Sequence, residues 1–170
     1  WAPHIMQHYA DSPVHHLGDS GAGIITDDFF RQSFPSWNPA GIFPTFIPGL
    51  DPNKVNIFDF DTAYLYAQVA NYFPKNETAQ YNSNFDNNQT FFYTAMGGQG
   101  GEAAWSDRMR ASVARAHAQS DNFYSYTAPG DRHCIIPYNE FYSVEADGVR
   151  LVDWVRDLAD GKPANKAPAC

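Results

Sequence analysis

At 170 residues, with 44% hydrophobic and 16% aromatic content, the chain can fill the core of one domain and is not a disordered polymer. Nineteen acidic residues against eleven basic ones give a formal net charge of -8, which repels phosphate backbones and anionic lipid and sets aside nucleic-acid and membrane-surface roles. No apolar run is long enough to span a bilayer, and the first residues are neither a signal peptide nor a start methionine, so Trp1 points to a processed or incomplete chain.

Ile5, Met6 and Tyr9 at helical spacing predict the end of a helix over 2–9, closed by Ser12-Pro13. Residues 14–17 form a short apolar run that reads as a buried strand, and it ends in Gly18-Asp19-Ser20-Gly21-Ala22-Gly23. Thr26-Asp27-Asp28 then offers a cap for a helix over 29–34. Proline and glycine dominate 35–52, an irregular excursion of the kind that shapes a site. Trp37, Phe43 and Phe46 in and around it are candidates either for the wall of a ligand site or for loop anchors.

Strand-like composition returns at 55–60, and Asp61-Thr62-Ala63-Tyr64-Leu65 opens a helix whose apolar positions run to Phe73. The polar stretch 76–89 reads as a solvated loop. The clearest helix is 102–119, with Trp105, Met109, Val113 and Ala116 on one stripe. An aromatic strand at 122–126 and the turn Ala128-Pro129-Gly130-Asp131-Arg132 lead to His133. A last helix at 149–159 buries Val152, Val155 and Leu158 and stops at Gly161. The alternation of strand and helix predicts a single α/β domain over 1–170 with a mostly parallel sheet. Such a sheet needs helices on both faces and more than about three strands, so N-terminal strands are expected upstream of Trp1.

Asp61, at a strand-to-helix junction, and His133, after a later strand, follow the order of acid and base in an α/β-hydrolase triad. There a carboxylate fixes the imidazole tautomer so that the other ring nitrogen can take a proton from a serine hydroxyl. The plainer readings are a helix cap for Asp61 and a hydrogen-bonded structural histidine for His133. Gly18-Asp19-Ser20-Gly21-Ala22 nearly fits the G-x-S-x-G elbow, which keeps Ser20 open as an alternative nucleophile, but Ala22 stands where the elbow has glycine. Cys134 and Cys170 fit no zinc pattern; a disulfide tying the tail to the His133 segment is the simpler reading, two unrelated thiols the other. Asn76-Glu77-Thr78 and Asn88-Gln89-Thr90 are glycosylation sequons, and with the cysteines they favour a secreted or otherwise extracytoplasmic location.

Four stretches together resemble the pectin acetylesterase and Notum family of α/β hydrolases: His16-Leu17-Gly18-Asp19-Ser20-Gly21, Phe60-Asp61-Thr62-Ala63-Tyr64-Leu65, the helix at Trp105 leading into Asn122-Phe123-Tyr124, and Gly130-Asp131-Arg132-His133-Cys134. The resemblance implies a partial α/β-hydrolase fold, with Asp61 as triad acid and His133 as general base. It supplies no nucleophile, because the family's G-x-S-A-G-G elbow occurs nowhere in the chain and is expected upstream of Trp1. Asp19 and Ser20 match a family segment near the site, with Asp19 organising the turn. The implied activity is hydrolysis of carboxylic esters, typically acetyl groups on a polysaccharide such as pectin, through a serine acyl-enzyme that needs neither metal nor cofactor. The implied partners are that acyl-ester substrate and the missing N-terminal portion of the protein. Two other readings stay open: a non-catalytic processed fragment with a binding or structural role, and a compact hydrolase using Ser20.

Overall fold

A computed structural model of the chain describes residues 1–167. Three strands, β1 (His16–Asp19), β2 (Thr78–Ser83) and β3 (Phe123–Ala128), form a parallel sheet in the order β1-β2-β3. The register sets His16 against Thr78 and Thr78 against Phe123, so all three strands end at one rim. Helix α1 (Ala2–His8) precedes β1, and the first crossover carries α2 (Asp27–Ser33), several single 3-10 turns and α3 (Thr62–Tyr72). The second crossover carries α4 (Asn87–Ala95) and α5 (Gly101–Gln119). After β3 come a two-residue hairpin, β4 (Glu145–Ala146) and β5 (Val149–Arg150), and the closing helix α6 (Leu151–Ala159).

A parallel sheet must be covered on both faces, and the period of two along each strand sorts the side chains accordingly. Ala79 and Tyr81 of β2, with Tyr126 and Ala128 of β3, pack on Leu151, Trp154 and Leu158 of α6. On the other face Phe123 meets Ala63 of α3 and Ala116 of α5. Helix α5 buries Trp105, Met109, Ser112 and Ala116, an i, i+4, i+7, i+11 stripe of which Trp105 and Met109 sit against Ala22 and Tyr93. The proline- and glycine-rich excursion folds back with α1 onto α3, where Ile47 and Leu50 join Met6 and Val69. No helix among the described residues is long and apolar enough to cross a membrane.

Two expectations from the sequence are corrected. The stretch 76–89 is not a solvated loop: it contains β2, the central strand, all six of whose residues are buried. Gln80 and Asn82 tolerate burial because they are hydrogen-bonded, Asn82 Nδ2 donating to Gln80 Oε1 at 3.1 Å and Asn82 Oδ1 accepting from Ala22 N at 3.0 Å. Conversely, 55–60 is not a strand but a 3-10 turn over Ile57–Asp59, capped by Asn56 Oδ1, which accepts from Phe58 N. The Asx turn satisfies that backbone locally and removes its need for a sheet partner.

Candidate functional site

The rim where the strands end holds the chemistry. Past Ser83 the β2–β3 pairing continues into the loops: Asn84 N donates to Ala128 O, Phe85 N to Gly130 O and Asn87 N to Asp131 O. This zipper brings Asp86, the N-cap of α4, to the loop that carries His133. Asp86 is fully buried. Its carboxylate accepts from Gln89 N at 2.8 Å, from Gln89 Nε2 at 3.1 Å and from His133 Nδ1 at 2.9 Å. A carboxylate can only accept, so Nδ1 of His133 carries the proton in that bond. The neutral imidazole then presents Nε2 as an acceptor, and Nε2 has no hydrogen-bond partner among the described residues. The His133 side chain is one-third exposed, enough to meet a ligand while its other face stays held.

The neighbours of this pair are tightly tied. Ser83 Oγ, itself in contact with Tyr81 Oη, donates to Arg132 O at 2.7 Å. Arg132 bonds Glu140 at 2.6 Å and lies over the ring of Tyr138 at 4.6 Å. Phe85, Ile136 and Tyr138, near the pair in sequence, are all at least 40% exposed.

Asp61 is not part of this constellation. It caps α3, accepting from Tyr64 N at 2.8 Å, and forms an ion pair with Arg115 of α5 in which both side chains are about half exposed. The triad-acid assignment to Asp61 is therefore corrected: with no strand before it, Asp61 follows a 3-10 turn and faces α5, and the acid on His133 is Asp86. A signal for Asp86 was present in the sequence as Asp86-Asn87-Asn88-Gln89, a cap residue followed three positions later by a glutamine.

Ser20 lies at the end of β1 in a left-handed conformation (φ 58°), and its Oγ accepts from Cys134 N at 2.8 Å rather than bonding the His133 ring. Cys134 is also left-handed (φ 51°), and burial pushes its thiol pKa up. Its expected disulfide partner, Cys170, lies outside the described residues. Of the two sequon asparagines, Asn76 is buried and its Oδ1 accepts from Val14 N, whereas Asn88 is exposed in the first turn of α4. Among the described residues no cluster of His, Cys, Asp and Glu has the geometry of a metal site.

A separate cavity of about 420 Å³ has Phe30, Phe34, Phe43, Phe58 and Phe60 in its lining. It is linked to the buried acid through one residue, because Gly23 at its edge donates from its backbone N to Gln89 Oε1 at 3.2 Å while Gln89 Nε2 bonds Asp86. Of the candidate wall residues, Phe43 lines this cavity, Trp37 is 62% exposed with its ring against Phe29 and Phe34, and Phe46 packs with Ile47 and Leu50 as an anchor. Comparison with protein-family models, with curated proteins and with solved structures gives no match to this chain.

Proposed function

We propose that this chain supplies the acid and the base of a serine-type carboxylic-ester hydrolase with an α/β-hydrolase-like fold. The observation that carries the reading is the contact between the fully buried Asp86 at the end of β2 and His133 Nδ1 after β3. Parallel strands delivering an acid and then a base to one rim is the arrangement such a hydrolase uses. In this reading Nε2 of His133 takes the proton of a serine hydroxyl as that oxygen attacks the ester carbonyl, and returns it to the leaving alcohol. Asp86 holds the tautomer and stabilises the imidazolium; water then repeats the cycle on the acyl-enzyme. The family resemblance places the nucleophile on a serine of an elbow outside this chain, and Ser20 Oγ makes no hydrogen bond to the His133 ring. The resemblance to pectin acetylesterases and Notum, with the acid moved to Asp86, makes an acetylated polysaccharide the proposed substrate, and the phenylalanine-lined cavity beside Gln89 offers a place for a non-reacting part of the ester. Secretion fits that substrate.

The test is hydrolysis of 4-nitrophenyl acetate and fluorophosphonate labelling by the protein expressed together with the sequence encoded before Trp1. Asp86→Asn and His133→Ala should each lower turnover by about three to four orders of magnitude, while Asp61→Asn stays within about threefold of wild type. Label on a serine before Trp1 supports the proposal. Label on Ser20, or wild-type turnover from His133→Ala, overturns it.

A further inference from the structure

We infer that Asp19 and Ser20, at the end of β1, are positioning residues for His133: they hold three consecutive backbone N–H groups that follow the imidazole, and so fix its place against Asp86. This inference rests on the proposed role of His133 as a base.

The three bonds run without a gap. Cys134 N donates to Ser20 Oγ at 2.8 Å, Ile135 N to Asp19 Oδ1 at 2.9 Å and Ile136 N to Asp19 Oδ2 at 3.1 Å. Successive N–H groups converge on one anion only when a left-handed residue bends the chain, and Cys134 (φ 51°) provides that bend directly after His133. On the opposite side of the grip Ser20 is itself left-handed (φ 58°), which turns its hydroxyl towards Cys134 instead of along the strand. Two non-glycine residues in a sparsely populated backbone region, facing each other across one set of bonds, mark a geometry that the surroundings must enforce.

The carboxylate makes the bonds from Ile135 N and Ile136 N charge-assisted, so those two are stronger than ordinary backbone bonds, while the Cys134 N bond goes to a neutral hydroxyl. On its N-terminal side the same loop is held by Ser83 Oγ donating to Arg132 O. His133 is thus gripped between an anchor from β2 at residue 132 and anchors from β1 at residues 134, 135 and 136. Neither Asp19 nor Ser20 hydrogen-bonds the imidazole, and their action is through the backbone alone.

The test reads the histidine itself and needs no turnover. Long-range ¹H–¹⁵N correlation spectra of the folded chain, recorded where His133 is neutral, report which ring nitrogen bears the proton. Wild type should show the proton on Nδ1. Asp19→Asn keeps the shape of the side chain but replaces one acceptor oxygen by an NH₂ group facing a backbone N–H; the Nδ1–H signal of His133 should become a mixture of tautomers, and amide exchange at 134–136 should rise at least tenfold while α5 amides stay unchanged. Ser20→Ala should do the same more weakly. Unchanged His133 signals in Asp19→Asn overturn the inference even if the loop amides exchange faster, because the residue would then be merely structural. Should Asp19→Asn lose its dispersed spectrum, Ser20→Ala decides in the same way. Asp86→Ala serves as the separate control: if it leaves the wild-type tautomer in place, the proposed acid–base pair falls, independently of what the Asp19 variant shows.

Discussion

Phe60-Asp61 and Phe85-Asp86 are the same dipeptide in the same local role, and they acquire different partners. Each aspartate caps a helix by accepting from the backbone N–H three residues on, Tyr64 in one case and Gln89 in the other, both at 2.8 Å. Asp61 follows a 3-10 turn, stays half exposed and meets the guanidinium of Arg115. Asp86 follows the central strand, is fully buried and meets an imidazole delivered by the neighbouring strand. The local chemistry of a cap is common to both; what separates a surface ion pair from a candidate acid–base pair is the element that comes before the aspartate. A strand end places the group at the sheet rim, in reach of whatever the adjacent parallel strand brings there.

The comparison is broken most directly by removing each carboxylate. Asp86→Ala leaves His133 Nδ1 and two donors of Gln89 without their acceptor in a buried site, and is expected to cost about 3 kcal/mol. Asp61→Ala loses a cap and an exposed ion pair and should cost about 1 kcal/mol. Urea unfolding at constant m-value measures both, and equal costs would mean that the position after the strand carries no special weight. Between these two in size, Gln89→Ala removes the side-chain bridge between Asp86 and Gly23, for a loss of about 1 to 2 kcal/mol in the same assay.

The smallest effect concerns the layer that contains Asp61. His16 against α3 and His117 of α5 both have their pKa lowered by burial, the amino terminus adding to the effect at His16 and a hydrogen bond to the Phe123 backbone opposing it at His117. The unfolded chain then takes up protons first on acidification, so stability is complete above the ordinary histidine value and declines as the pH falls below about 6.5. His117→Gln should flatten the dependence of the urea midpoint between about pH 7 and pH 5; an unaltered slope would show that this histidine is equally easy to charge in the folded protein.

Much of the frame is legible in the sequence where side chains state their burial openly. The stripe through Trp105, Met109 and Ala116 gives α5, and the aromatic residues at 123–126 give β3. His133 was found because it follows that strand. β2 is harder to read, because Gln80 and Asn82 look like solvent-facing residues until Ala22 is in place and the two side chains bond each other. The period-two alternation with Ala79 and Tyr81 was there, but polarity on one face reads as exposure when the covering helices are unknown. Losing the strand also lost Asp86 at its end, and the role passed to Asp61, the aspartate with the more conspicuous apolar run before it. One strand hidden by its polar residues thus accounts for the shift of the proposed acid from Asp61 to Asp86.

The absence of a side chain at Gly18 has a mechanical meaning. A Cβ there would collide with the hydroxyl of Tyr66 from α3, and Gly21 faces the same atom. The backbone at the end of β1 is therefore packed directly against the Tyr66 hydroxyl of α3, beside Asp19. A shift of α3 along its axis has nowhere to dissipate before it reaches the loop around residue 134. Substitutions in that helix, remote from the rim in sequence, would be felt at the imidazole as small displacements and not as lost contacts.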